Sequence, residues 1–165
     1  MQHVAAMLLD GSGINDVTRG ILGAAIEVHR ELGPGLLESV YLPCLEFELT
    51  ARGLPFVFQR AIPIIYKGAP IGASYRIDLI VADCAVVEIK SVTALTAVHE
   101  AQALTYLRLT DCPVALLINF NVPRLMDGVR RLINSRSIKR LAGVSDKNKP
   151  QRNEGAETRR EDSGA

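Results

Sequence analysis

Between Phe56 and Lys90 the hydrophobic pattern of the chain changes period, and that change limits the folds open to it. Upstream, "INDVTRGILGAAIEVHRELGPG" repeats Val17, Ile21, Ala24, Ala25, Val28 and Leu32 at helical spacing, with Asn15 or Asp16 as a cap and Gly33–Pro34 as a stop. A second helix is expected from Leu37 to Arg52, with Pro43 forcing either a kink or a later start. "FVFQRAIPIIYKG" and "IGASYRIDLIVADCAVVEIK" then read as three strands with turn chemistry at "KGAP", most simply an antiparallel meander. "TALTAVHEAQALTYLRLT" returns to helix, with Leu95, Val98, Ala101 and Leu104 or Thr105 on its apolar side. "PVALLINF" suits a buried strand, and "PRLMDGVRRLINSRSIKRL" reads as a last helix with a basic face. The order α, α, β, β, β, α, β, α defines an α/β (α+β) domain, a mixed central sheet flanked by helices.

That domain is expected to span residues 14–141. Residues 1–13 read as an N-terminal extension. Residues 142–165 have almost no large apolar side chains and cannot offset their own ordering entropy, so a disordered tail is expected, one that limited proteolysis would remove. With 165 residues, 48% hydrophobic content and a net charge of +1, the composition is that of a soluble globular domain without a global signature for polyanions. Any nucleic-acid contact must use a local patch. Cys44, Cys84 and Cys112 suit neither a disulfide framework nor a CxxC zinc site, which points to a reducing cytoplasm. "MQHVAAMLLDG" lacks a basic n-region, and no run approaches the length of a membrane span. No membrane association is expected.

"AVVEIKS" places an acid and a base in an oily strand. Alternate residues share a face, so Glu88 and Lys90 project together while Val87 and Ile89 face the other way. Such a pair is costly to bury unless something compensates for it. One explanation is a structural salt bridge; the other is a metal site with a lysine beside it. Asp78 in "RIDLIV" bears on the choice. If the loop between the two strands is Ala82, Asp83 and Cys84, opposed residue numbers sum to 166 and Asp78 faces Glu88, their Cβ atoms about 5 Å apart. Two carboxylates so placed repel unless a cation or a proton lies between them. A two-residue loop would send them to opposite faces unless a bulge intervened. Paired carboxylate oxygens suit Mg²⁺ (or Mn²⁺), whose bound water can attack phosphorus. Lys90 on the same face could orient or deprotonate that water, or stabilise charge on the phosphate.

Other groups can join this cluster or have plainer roles. Glu38 stands at a helix start, where the dipole alone explains an acid, with Tyr41 one turn later. His99, Gln102 and Tyr106 recur along the helix after the Glu-x-Lys strand. Arg124, Arg130, Arg131, Arg136, Lys139 and Arg140 form a basic run; Arg130 and Arg131 could grip phosphates, although a solvated face is the commoner meaning.

"GPGLLESVY" resembles the signature of the GxxExxY proteins, here Gly35, Glu38 and Tyr41. "AAIEVHRELG", "YRIDLIV", "VVEIKSV", "HEAQALTYLRLT" and "LLINF" are similar to further segments of that group, so the likeness covers about residues 14–133. The group lies within the PD-(D/E)XK nuclease superfamily. The resemblance implies a restriction-endonuclease-like core in the order α-β-β-β-α-β. It implies metal ligands at Asp78, Glu88 and Glu38, and a catalytic set of Glu38, Asp78, Glu88, Lys90 and Gln102. Tyr41, Tyr106, Arg130 and Arg131 are the candidate substrate contacts. Ile77 stands where the superfamily has proline. The expected function is Mg²⁺-dependent hydrolysis of phosphodiesters, in DNA ahead of RNA; the alternative is a non-catalytic nucleic-acid-binding or protein-interaction module on the same fold. A homodimer is compatible with this size, since two copies can embrace a duplex.

Overall fold

The computed structural model describes residues 12–141. The expected tail from 142 onward, and residues 1–11 of the expected extension, lie outside the described residues. Helix α1 (Ser12–Leu32) begins before Asn15 and Asp16, so neither caps it. Asn15 instead accepts from Arg131, and Asp16 pairs with Arg19. Ile14, Ile21, Ala24, Ala25 and Val28 are the buried stripe of α1, and Gly33 ends it with φ of 69°, its N–H returning to His29 O at 2.8 Å. Helix α2 (Glu38–Ala51) carries Pro43 inside it rather than starting later. Pro43 has no N–H for the Ser39 carbonyl, a loss that the buried Tyr41, Leu42, Leu45 and Leu49 offset.

Among the described residues the sheet has five strands, in the order β1 (Phe56–Tyr66), β2 (Ala69–Val81), β3 (Ala85–Lys90), β4 (Val114–Asn119) and β5 (Val129–Ile133). β1, β2 and β3 form the expected antiparallel meander, β3 and β4 are parallel, and β5 returns antiparallel. Helix α3 (Ala97–Thr110) makes the crossover between the parallel strands. The mixed sheet with flanking helices is the expected fold class.

Two further expectations fail. Val129–Ile133 is a strand, not part of a last helix; only Ser135–Leu141, here α4, is helical beyond a short 3₁₀ turn at Leu125–Gly128. The reason is tertiary: β4 is buried throughout and needs a partner on its far side, which Val129–Ile133 supplies. The close passage of the 3₁₀ turn requires Gly128, because a Cβ there would run into the Asn119 carbonyl oxygen. In α3 the buried side is Ala103, Tyr106 and Leu107, whereas Val98 is 74% exposed and Leu104 39%. Small Ala103 lets the helix approach the sheet, a role that apolar periodicity does not reveal.

Each face of the sheet has its own core. Leu79, Val81, Ala85, Val87, Ile89, Leu116 and Ile118 pack with α1 and α2; Ile80, Val86 and Ala115 pack with Ala103, Tyr106 and Leu107 of α3. Cys84 and Cys112 are buried free thiols, and Cys44 is half-buried.

Candidate active site

The β2–β3 hairpin closes through Ala82 and Asp83, both with positive φ, and Val81 pairs with Ala85, Ile80 with Val86 and Leu79 with Val87. These pairs sum to 166, the register expected from the three-residue loop. Regular pairing stops at Leu79↔Val87, one step short of Asp78 and Glu88. Beyond that point β3 stays paired with β4 out to Lys90↔Asn119. The side that β2 leaves is filled by the Asp78 carboxylate, which accepts the Ile89 N–H at 2.8 Å. A side chain thus replaces a rung of the ladder, and a carboxylate is brought to the gap between the strands.

Glu88 lies at that gap, 3% exposed. Its Oε1 receives the Lys90 ammonium at 2.7 Å, whereas its Oε2 is buried without a hydrogen-bond partner among the described residues. Burial pushes the Glu88 carboxyl up to about 7; the Asp78 charge adds to the rise, and Lys90 opposes it. Asp78 is also raised, chiefly by burial, with the Ile89 N–H and Lys90 pulling the other way. For Lys90, burial works against the ammonium, but Glu88, Glu38 and Asp78 together outweigh it and hold its pKa above the usual value. The acids and the lysine therefore form one electrostatic unit.

Glu38 opens α2 and joins from the other side. Its Oε1 accepts the Ser91 N–H at 3.1 Å, tying the helix start to the residue after Lys90. Its charge raises the pKa of both Asp78 and Lys90. Among the described residues no three His, Cys, Asp or Glu side chains are gathered closely enough to hold a metal ion. Asp78 and Glu88 are the candidate direct ligands, with Glu38 beside them on Ser91. The unpartnered Glu88 Oε2 and the hard oxygen donors fit a divalent cation.

The remaining candidates divide. Gln102 Nε2 donates to the Tyr106 hydroxyl at 2.6 Å, and Tyr106, buried on the sheet, senses the Glu88 charge; its pKa is raised by burial first. Tyr41 has no exposed surface: its hydroxyl donates to Gly33 O and accepts from Leu36 N–H, and its ring stacks on Phe120 at 4.4 Å. This is the work of a core residue that fixes the loop before Glu38, not a surface open to substrate. His99 accepts the Thr96 N–H and caps α3. Arg130 and Arg131 point to opposite faces. Arg131 turns to α1 and Asn15, whereas Arg130 lies in the row Glu88–Leu117–Arg130, two strands or about 10 Å from Glu88 on the same face.

Asn119 was missed. Its side chain accepts from Val92 N–H and donates to Val92 O, clamping the loop after Lys90 to β4. An amide at the end of the apolar run "VALLIN" was the available signal.

A sheet with an acid where two strands part, Glu-x-Lys on the next strand and helices on both faces defines a restriction-endonuclease-like domain. The family model of the PD-(D/E)XK nuclease superfamily matches residues 15–132, and the chain belongs to that superfamily. A search of the curated proteins gave no match, and a search of the solved structures gave none. Membership suggests nuclease activity, a nucleic-acid substrate and the divalent metals that these nucleases generally use. No described helix is long and apolar enough to cross a membrane.

Proposed function

We propose that this protein is a Mg²⁺-dependent nuclease of the GxxExxY group that hydrolyses phosphodiesters in DNA. The observation that carries the proposal is the buried, unpartnered Glu88 Oε2 beside Asp78 and Lys90. Asp78 and Glu88 would hold the ion, with Glu38 acting through water. A bound Mg²⁺ would supply an acidified water and neutralise charge on the phosphate. Lys90 is an ammonium at neutral pH, since its neighbours hold its proton, so its role is to stabilise charge on the phosphate rather than to remove a proton. Gln102 and Tyr106 keep a donor pair beside the cluster, and Arg130 offers a second cation on the same face.

The test is cleavage of plasmid and linear DNA with Mg²⁺ or Mn²⁺, stopped by chelation. Lys90→Ala is expected to lose about 10²–10³-fold in rate while keeping metal affinity by calorimetry; Glu88→Ala should lose both. Lys90→Arg should rescue poorly, because the guanidinium fork needs different geometry. The closed Lys90–Glu88 pair favours one other reading, a binding module whose ion pair is structural. Undiminished cleavage by Lys90→Ala would overturn the role given to Lys90; no cleavage by wild type would leave the binding module.

A further inference from the structure

The strand that carries Asp78 does not stop at the sheet. From Ile77 back to Ala69, β2 continues for about 30 Å past the site, paired with β1 as a two-stranded ribbon. The base of this arm is anchored: Tyr75 packs edge-on against Tyr106 of α3 at 5.6 Å, and Ile62 and Ile77 join the same core. Among the described residues no helix covers its outer part, and Ile65, Tyr66 and Ile71 are each more than half exposed. Phe56 to Ile77 contains Arg60, Lys67 and Arg76 and no acidic residue. Lys67 sits at the tip, over the Tyr66 ring at 5.5 Å.

We propose that this arm engages duplex DNA, inserting its apolar tip as a wedge into a base step while Lys67 holds a flanking phosphate and Arg60 and Arg76, at the base of the arm, hold phosphates further along the duplex towards the carboxylates. The proposal deepens the nuclease reading and rests on it for the role of the bound DNA. Three cations without an acid give the electrostatic match to a polyanion. The arm arises next to Asp78 and extends past the catalytic end of β3, so nucleic acid lying along it passes the carboxylates. Isoleucine, tyrosine and proline side chains at the tip offer little hydrogen bonding to base edges but are suited to unstacking them. Recognition is then by deformability: DNA with a mismatch, whose unstacking costs less, binds more tightly than a perfect duplex of the same length. Duplex RNA is disfavoured, since its deep, narrow major groove excludes a ribbon and its stiffer A-form resists the wedge.

The full chain, held in chelator so that nothing is cut, is titrated by fluorescence anisotropy with short duplex DNA, the same duplex with a central mismatch, and duplex RNA. Arg60→Ala/Lys67→Ala/Arg76→Ala should weaken DNA binding by about tenfold or more and reduce the salt dependence by about two to three contacts. Ile65→Ser/Tyr66→Ser/Ile71→Ser should abolish the preference for the mismatch. Lys67→Glu alone, at an exposed turn, repeats the test if a triple variant fails to fold; it too must weaken binding. Equal affinity for RNA and DNA, or wild-type DNA binding by these variants, would overturn the proposal. So would a tip variant whose sole effect in sedimentation is to separate a dimer, which would make the arm a contact between two copies. DNA held by the arm but never cut would sink the nuclease reading alone; cutting that ignores the arm variants would sink the arm alone.

Discussion

At Glu88 one oxygen is satisfied and the other is not, and a proton or a cation can supply what is lacking. Without metal, the folded protein holds the Glu88 proton up to about pH 7, whereas an unfolded chain releases it near the ordinary value of 4.5. Between those values the folded state binds more protons, so the Glu88 contribution to metal-free stability falls as pH rises from about 4.5 to 7 and is level above. The loss is of order 3 kcal/mol. Urea titrations in chelator across this window should show the decline, and Glu88→Gln should reduce it to what the raised Asp78 carboxyl contributes. Glu-x-Lys and its acid partner were legible because alternation within a strand and a short hairpin are local matters. Tyr41 and Arg131 were not, since periodicity does not say which polar tip will be buried or which sheet face a given arginine takes.

Among the elements, the β2–β3 hairpin holds Ala82 and Asp83 in left-handed conformations that glycine adopts without strain. No glycine marked this loop, and two registers stayed open in the sequence for that reason. Asp83 is exposed, so Asp83→Gly should relieve the strain without disturbing packing. Denaturant melts should show a gain of about 1 kcal/mol at unchanged slope. β5 was illegible for the opposite reason. Val129–Ile133 carries an alternation too short to outvote its charged neighbours, and it becomes a strand because β4 has an open edge. The same holds for α3, whose packed side is set by the small Ala103 and by Tyr106 rather than by its most apolar residues.

For the whole molecule, the carboxylate cluster joins the β2–β3 hairpin to α2, which lies well upstream in sequence, so an ion bound there stabilises the fold as a unit. At a Mg²⁺ or Mn²⁺ concentration one hundred times the dissociation constant the gain should be about 2.7 kcal/mol. Thermal melts should shift upward by about 5–10 °C for wild type and not for Asp78→Ala. An equal shift in both would place the ion elsewhere.

The passage of the 3₁₀ turn over Asn119 has a consequence for inheritance. Any codon change at 128 that does not preserve glycine adds a Cβ, and that atom meets the carbonyl of the residue whose side chain clamps Val92 and whose neighbour Phe120 donates to Lys90 O at 2.8 Å. A lineage carrying such a change would score as defective at Lys90, although residue 128 is not among the candidate site residues. Surveying variants at Gly128 therefore gauges how strictly descendants of this chain keep the position of their lysine.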